Sequence, residues 1–98
     1  MLENIQPAAL WRHFEQLNAI PRASKKEQRV IEFMRNFGNS LHLSTTVDEA
    51  GNVMIKKPAT PGLEDRPVIC LQSHLDMVHQ KNAGTQFDFE KEGIKMLV

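Results

Sequence analysis

The chain is short of most features that announce a function. It has one cysteine, Cys70, which excludes an internal disulfide, a paired-cysteine redox motif and a cysteine-rich zinc ribbon. It has no excess charge of either sign, with 12 basic against 12 acidic side chains. A neutral chain carries no electrostatic footprint for nucleic acid or for an anionic membrane surface. No apolar run approaches the ~18 residues of a transmembrane helix. The opening residues, Met1 to Gln6, lack the basic flank and apolar stretch of a signal peptide. Gly51 and Gly62 stand alone, so no glycine-rich loop is available to cradle a phosphate. No acidic cluster suggests a paired-carboxylate hydrolase. These absences lead to the expectation of a cytoplasmic protein that binds neither nucleic acid nor membrane.

What is present is an ordinary globular balance, 41% hydrophobic and 24% charged over 98 residues. That suits one small domain with one modest core. Pro7 is placed for the first turn of a helix, where its missing N–H costs nothing. Leu10, Phe14 and Leu17 then recur at helical spacing with Trp11 on the shoulder, predicting an amphipathic helix that breaks before Pro21. Ser24-Lys25-Lys26-Glu27 reads as a capping box opening a second helix. Val30, Phe33, Met34 and Phe37 form its apolar face, and Gly38 is the expected stop. Its basic residues, Arg22, Lys25, Lys26, Arg29 and Arg35, are interleaved with Glu27 and Glu32, which reads as a solvated outer face.

Thr45, Thr46 and Val47 suggest a strand, Glu49 to Asn52 a turn, and Val53-Met54-Ile55 the returning strand of an antiparallel hairpin. Pro58 to Gly62 ends it and opens a loop. Pro67 to Gln72 is a continuous apolar run, of the kind that forms a strand buried on both faces of a sheet. Cys70 within it is expected to be a buried, reduced thiol. The fold class expected is α/β: two helices, a hairpin and a buried strand. The last residues, Gly93 to Val98, read as a strand that has just begun. The chain is therefore expected to be a truncated part of a larger domain.

The apolar run leads directly into His74-Leu75-Asp76. In an extended chain, side chains two apart point to the same side. A carboxylate so placed can accept one imidazole N–H and leave the other nitrogen for a metal. His74 and Asp76 thus fit half of a metal site, but one histidine and one aspartate fall short of the three or four ligands that zinc requires. An ordinary surface pair remains the alternative on spacing alone. The other candidates are poorer. His13 lies at the edge of the first helix's apolar stripe, His42 has no partner in sequence, and His79 falls in a loop. Ser73 and His74 are adjacent and point apart in a strand, which disfavours a serine nucleophile.

Two stretches carry a resemblance. They are Gly51-Asn52-Val53-Met54-Ile55-Lys56-Lys57-Pro58-Ala59-Thr60-Pro61-Gly62 and Leu71-Gln72-Ser73-His74-Leu75-Asp76-Met77-Val78, the second continued by Gln80-Lys81-Asn82. With Pro7, Leu10 and Trp11 they resemble the N-terminal part of aminoacyl-histidine (Xaa-His) dipeptidases in the M20 group of zinc peptidases. The resemblance runs over essentially the whole chain. It implies that residues 1–98 are the N-terminal portion of a catalytic domain with a phosphorylase/hydrolase-like mixed sheet. It implies His74 as a zinc ligand and Asp76 as the carboxylate that orients it. It also implies two zinc ions and a dipeptide substrate in the full enzyme, with the remaining ligands and the general-base glutamate elsewhere in the polypeptide. In that family the metals polarise the scissile carbonyl and activate a water whose proton the glutamate takes.

On this reading the 98 residues alone are inactive and bind zinc weakly if at all. An incomplete sheet exposes edges, so self-association through residues 68–71 or 94–98 is also expected. Two other readings serve the same residues. One is a different M20 peptidase or deacylase. The other is a non-enzymatic interaction module with an incidental His-x-Asp.

Overall fold

The computed structural model describes Leu2 and residues 4–97. Four elements follow in order: α1 (Ala8–Asn18), α2 (Gln28–Ser40), β1 (Ser44–Val47) and β2 (Val53–Lys56). The chain forms two compact units, one of Met1–Val30 with Leu75–Val98 and one of Ile31–His74.

In the first unit, Pro7 sits in extended backbone at the N-cap of α1. Its carbonyl accepts the N–H groups of Leu10 at 3.1 Å and Trp11 at 3.4 Å. Trp11 and Phe14 meet edge to face with centroids 5.9 Å apart, the geometry that aromatic quadrupoles favour. The last turn closes through Ala19 N–H to Glu15 and Ile20 N–H to Leu17, and Pro21 cannot continue the ladder. Asn18 is buried, and its carbonyl accepts the Ile94 N–H at 2.7 Å. A Cβ on Gly93 would lie 2.5 Å from the Ala19 carbonyl oxygen, so the close approach there requires glycine. The tail therefore packs against the end of α1. The strand expected to begin near Ile94 is not formed over residues 94–97; Val98 lies outside the described residues. Leu2, Ala23 and Val30 are the buried hydrophobic side chains among the described residues.

The capping box is a correction. Helix α2 starts at Gln28 rather than next to Ser24. Glu27 Oε1 instead accepts the Lys25 N–H at 2.7 Å, closing a local turn in which Lys25 has φ 71°. Ser24 is left available for another partner.

In the second unit, α2 runs through Gly38, so the expected stop is also displaced. The helix ends in a Schellman arrangement: Leu43 N–H bonds the Gly38 carbonyl at 3.1 Å and His42 N–H bonds the Asn39 carbonyl at 3.0 Å. His42 takes the left-handed position with φ 55°. Gly38 has a different task, because a Cβ there would run into Thr45 Oγ1 of the hairpin. The hairpin itself is as expected, with Ser44 opposite Lys56, Thr45 opposite Ile55, Thr46 opposite Met54 and Val47 opposite Val53. Thr45, Val47, Val53 and Ile55 share the half-buried face.

The turn is built around Asp48. Its Oδ1 accepts the N–H groups of Ala50 at 3.0 Å and Asn52 at 2.8 Å, and its Oδ2 accepts the Asn52 side-chain amide at 2.8 Å. These donors, the Asn52 side chain first, hold the Asp48 carboxyl below the usual aspartate range. A carboxylate depressed in the folded state adds stability above its unfolded value of ~3.9, which is lost as pH falls through the folded value. The protection of the hairpin amides, taken relative to the intrinsic exchange rate at each pH, is therefore expected to fall on going from pH 5 to pH 2, and Asp48→Ala is expected to abolish that dependence. Equal protection at both pH values in the unsubstituted chain would show that the turn does not use this charge.

The buried strand is the largest correction to the expected architecture. Val68, Ile69 and Leu71 are 96%, 84% and 92% exposed, residues 67–72 form no strand among the described residues, and Cys70 is exposed. A continuous apolar run is buried only where strands lie on both sides of it. The sheet here has two strands, and they pair with each other. The α/β character and the hairpin stand; the third strand does not form within these residues.

Candidate functional site

Residues 22–24 and 75–77 lie side by side in the first unit. They form a short parallel bridge between Ala23 and Met77. Met77 N–H donates to the Arg22 carbonyl at 2.8 Å, and Ser24 N–H donates to the Met77 carbonyl at 3.1 Å. The sequence favours this local geometry. Pro21 ends α1, and the turn at Lys25 delays α2, so residues 22–24 stay extended and can offer a strand edge.

Side chains reinforce the backbone pairing. Arg22 is buried; its Nη1 donates to the Leu75 carbonyl at 2.9 Å and its Nη2 to Asn18 Oδ1 at 2.8 Å. Its Nε is buried and has no hydrogen-bond partner. Burial pulls the Arg22 pKa down, and the nearby Asp76 carboxylate pushes it back up. Ser24 Oγ lies 2.5 Å from Asp76 Oδ2. The hydroxyl donates and the carboxylate oxygen accepts. Asp76 is thus half-buried between a hydroxyl donor and a buried cation.

His74 is the last residue of the second unit, and its side chain is exposed. Among the described residues no three His, Cys, Asp or Glu side chains come together as a metal-binding group. His79 makes an edge contact with Phe89, centroids 6.2 Å apart, and His42 caps α2. Neither joins a ligand set.

Arg22 and Ser24 had no signal in the sequence that linked them to Asp76. Ser24 is read there as a helix cap and Arg22 as part of a basic outer face. The His-x-Asp spacing marks only the other side of the ladder.

No protein-family model matches the chain. It is 38% identical over 94 residues to the cytosol non-specific dipeptidase of Escherichia coli (strain K12), a match covering 96% of this chain and 19% of that protein. Its backbone matches the crystal structure of aminoacylhistidine dipeptidase from Vibrio alginolyticus with a TM-score of 0.93 and 37% identity, over 100% of this chain and 20% of that one. The chain spans about a fifth of the length of each relative. Among the described residues no helix is long and apolar enough to cross a membrane.

Proposed function

We infer that this chain, similar to dipeptidases in both sequence and backbone, is the N-terminal part of the catalytic domain of a cytoplasmic, metal-dependent dipeptidase. The observation that carries the inference is the agreement of the whole backbone, TM-score 0.93, at 37% identity with a dipeptidase. Identity at that level over the full chain goes beyond shared architecture, which alone supports no function. The two relatives are both named as dipeptidases, one non-specific and one acting on aminoacyl-histidine. The reaction proposed is hydrolysis of the single peptide bond of a dipeptide, with C-terminal histidine among the accepted residues. A broader dipeptide specificity is the second reading, favoured by the name of the first relative.

In this reading His74 is one zinc ligand and Asp76 orients its imidazole through the other ring nitrogen. The remaining ligands of a two-zinc site come from the polypeptide outside these residues. The isolated 98 residues are accordingly inactive.

The test is hydrolysis of Ala-His, Ala-Leu, Ala-Ala-Ala and N-acetyl-alanine by the complete polypeptide and by the 98-residue chain. The complete protein is expected to cleave the dipeptides, Ala-His included, and the short chain to stay at background. Preference for the tripeptide or for the acetylated amino acid would replace this reading with a tripeptidase or a deacylase.

A further inference from the structure

We propose that Ser24 is a positioning residue for Asp76, holding that carboxylate in place for its work at His74. The proposal rests on the dipeptidase reading above, and it assigns a residue that acts only through another.

The geometry leaves Ser24 little else to do. It does not cap α2, which begins four residues later, and Glu27, its expected capping partner, bonds Lys25. Its hydroxyl has one proton and two acceptors in range, Asp76 Oδ2 at 2.5 Å and the Met77 carbonyl at 3.3 Å. The shorter, charge-assisted bond takes the proton. The hydroxyl is also held at a fixed place. The Ser24 N–H bond to Met77 and the Met77 N–H bond to Arg22 fasten the backbone on both sides of the bridge. Arg22 secures the same strand one residue earlier, at the Leu75 carbonyl. A carboxylate two residues from a histidine on a free loop would rotate about both side-chain torsions. Here one oxygen is pinned, and the pin is attached to a hydrogen-bonded ladder.

Loss of the residue that orients a metal-bound histidine costs 10- to 100-fold in affinity or activity. Loss of the group that holds that residue is expected at the lower end. In the complete polypeptide, Ser24→Ala should lower kcat about tenfold with KM little changed, since substrate binding is not what the hydroxyl serves. Ser24→Thr keeps the hydroxyl and should restore most of the rate. Asp76→Asn should lower kcat further, and adding Ser24→Ala to it should do nothing more.

A second measurement needs no turnover. In the metal-free protein, Ser24→Ala and Asp76→Asn should each lower the melting temperature, and the double variant no further than the worse single one. Wild-type kcat in Ser24→Ala, or losses that multiply in the double variant, would overturn the proposal. A wild-type protein that cleaves no dipeptide would overturn the functional reading itself, which is a separate result, and the positioning role would fall with it.

Discussion

The complete polypeptide carrying His74→Ala is expected to lose about a thousandfold in dipeptide turnover while keeping its fold. The magnitude follows from the proposed role of His74 as a zinc ligand: a zinc ion supplies several kcal/mol of transition-state stabilisation, and ~4 kcal/mol corresponds to about a thousandfold in rate. The retention of fold follows from where His74 sits. Its side chain is exposed, as are those of residues 67–73 before it. Removing an exposed imidazole opens no cavity and costs roughly 0.5 kcal/mol or less. Activity and stability should therefore separate cleanly. Turnover on Ala-His, bound zinc measured by atomic absorption, and a thermal melt of the same sample make the comparison. Zinc content should drop with the rate, while the melt of the metal-free protein stays in place. Full zinc and wild-type turnover in His74→Ala would remove His74 from the site. A collapsed melt in the metal-free state would instead mean that the imidazole stabilises the fold.

Periodic features were readable from the sequence, and features set by distant neighbours were not. Helix α1 follows from Leu10, Phe14 and Leu17 because helical spacing is local information. The hairpin follows from a β-branched run and a turn around Gly51, again local. The boundaries of α2, Gln28 and Ser40, differ from the sequence expectation at both ends for a common reason. Ser24 and Gly38 both look like helix punctuation, yet each is used for a contact outside the helix, Ser24 with Asp76 and Gly38 beneath Thr45. Residues 68–71 misled in the opposite direction. Their composition states that they suit a buried place, and burial depends on strands that these 98 residues do not supply. The His-x-Asp pattern stands out as a candidate because its spacing carries a physical meaning. The residues that support it lie 52 and 53 positions from their partners in sequence, where no local pattern reaches.

Arg22→Met is expected to loosen that ladder without disturbing the hairpin. Methionine keeps most of the length and apolar stem of arginine, so the change tests the guanidinium rather than the volume. Two acceptors lose their donors, the Leu75 carbonyl and the buried Asn18 Oδ1. A buried acceptor left unpaired costs about 1–3 kcal/mol. Asp76 also loses the cation beside it. Against this stands a gain, because a buried guanidinium is costly to desolvate and its Nε has no partner to repay it. The acceptors outweigh that gain, since two strong bonds are lost for one unsatisfied donor relieved. A net loss of about 2–3 kcal/mol is expected, on the order of a hundredfold in local opening. The readout is amide exchange at Met77 and Ser24, whose N–H bonds flank the bridge. Protection there should fall about a hundredfold, with the amides of β1 and β2 unchanged. Arg22→Lys should recover only part of it, because an ammonium cannot span both acceptors as the planar fork does. Unchanged protection at Met77 in Arg22→Met would mean that the backbone pairing holds Asp76's strand without the arginine, and that burial of this charge serves no structural end.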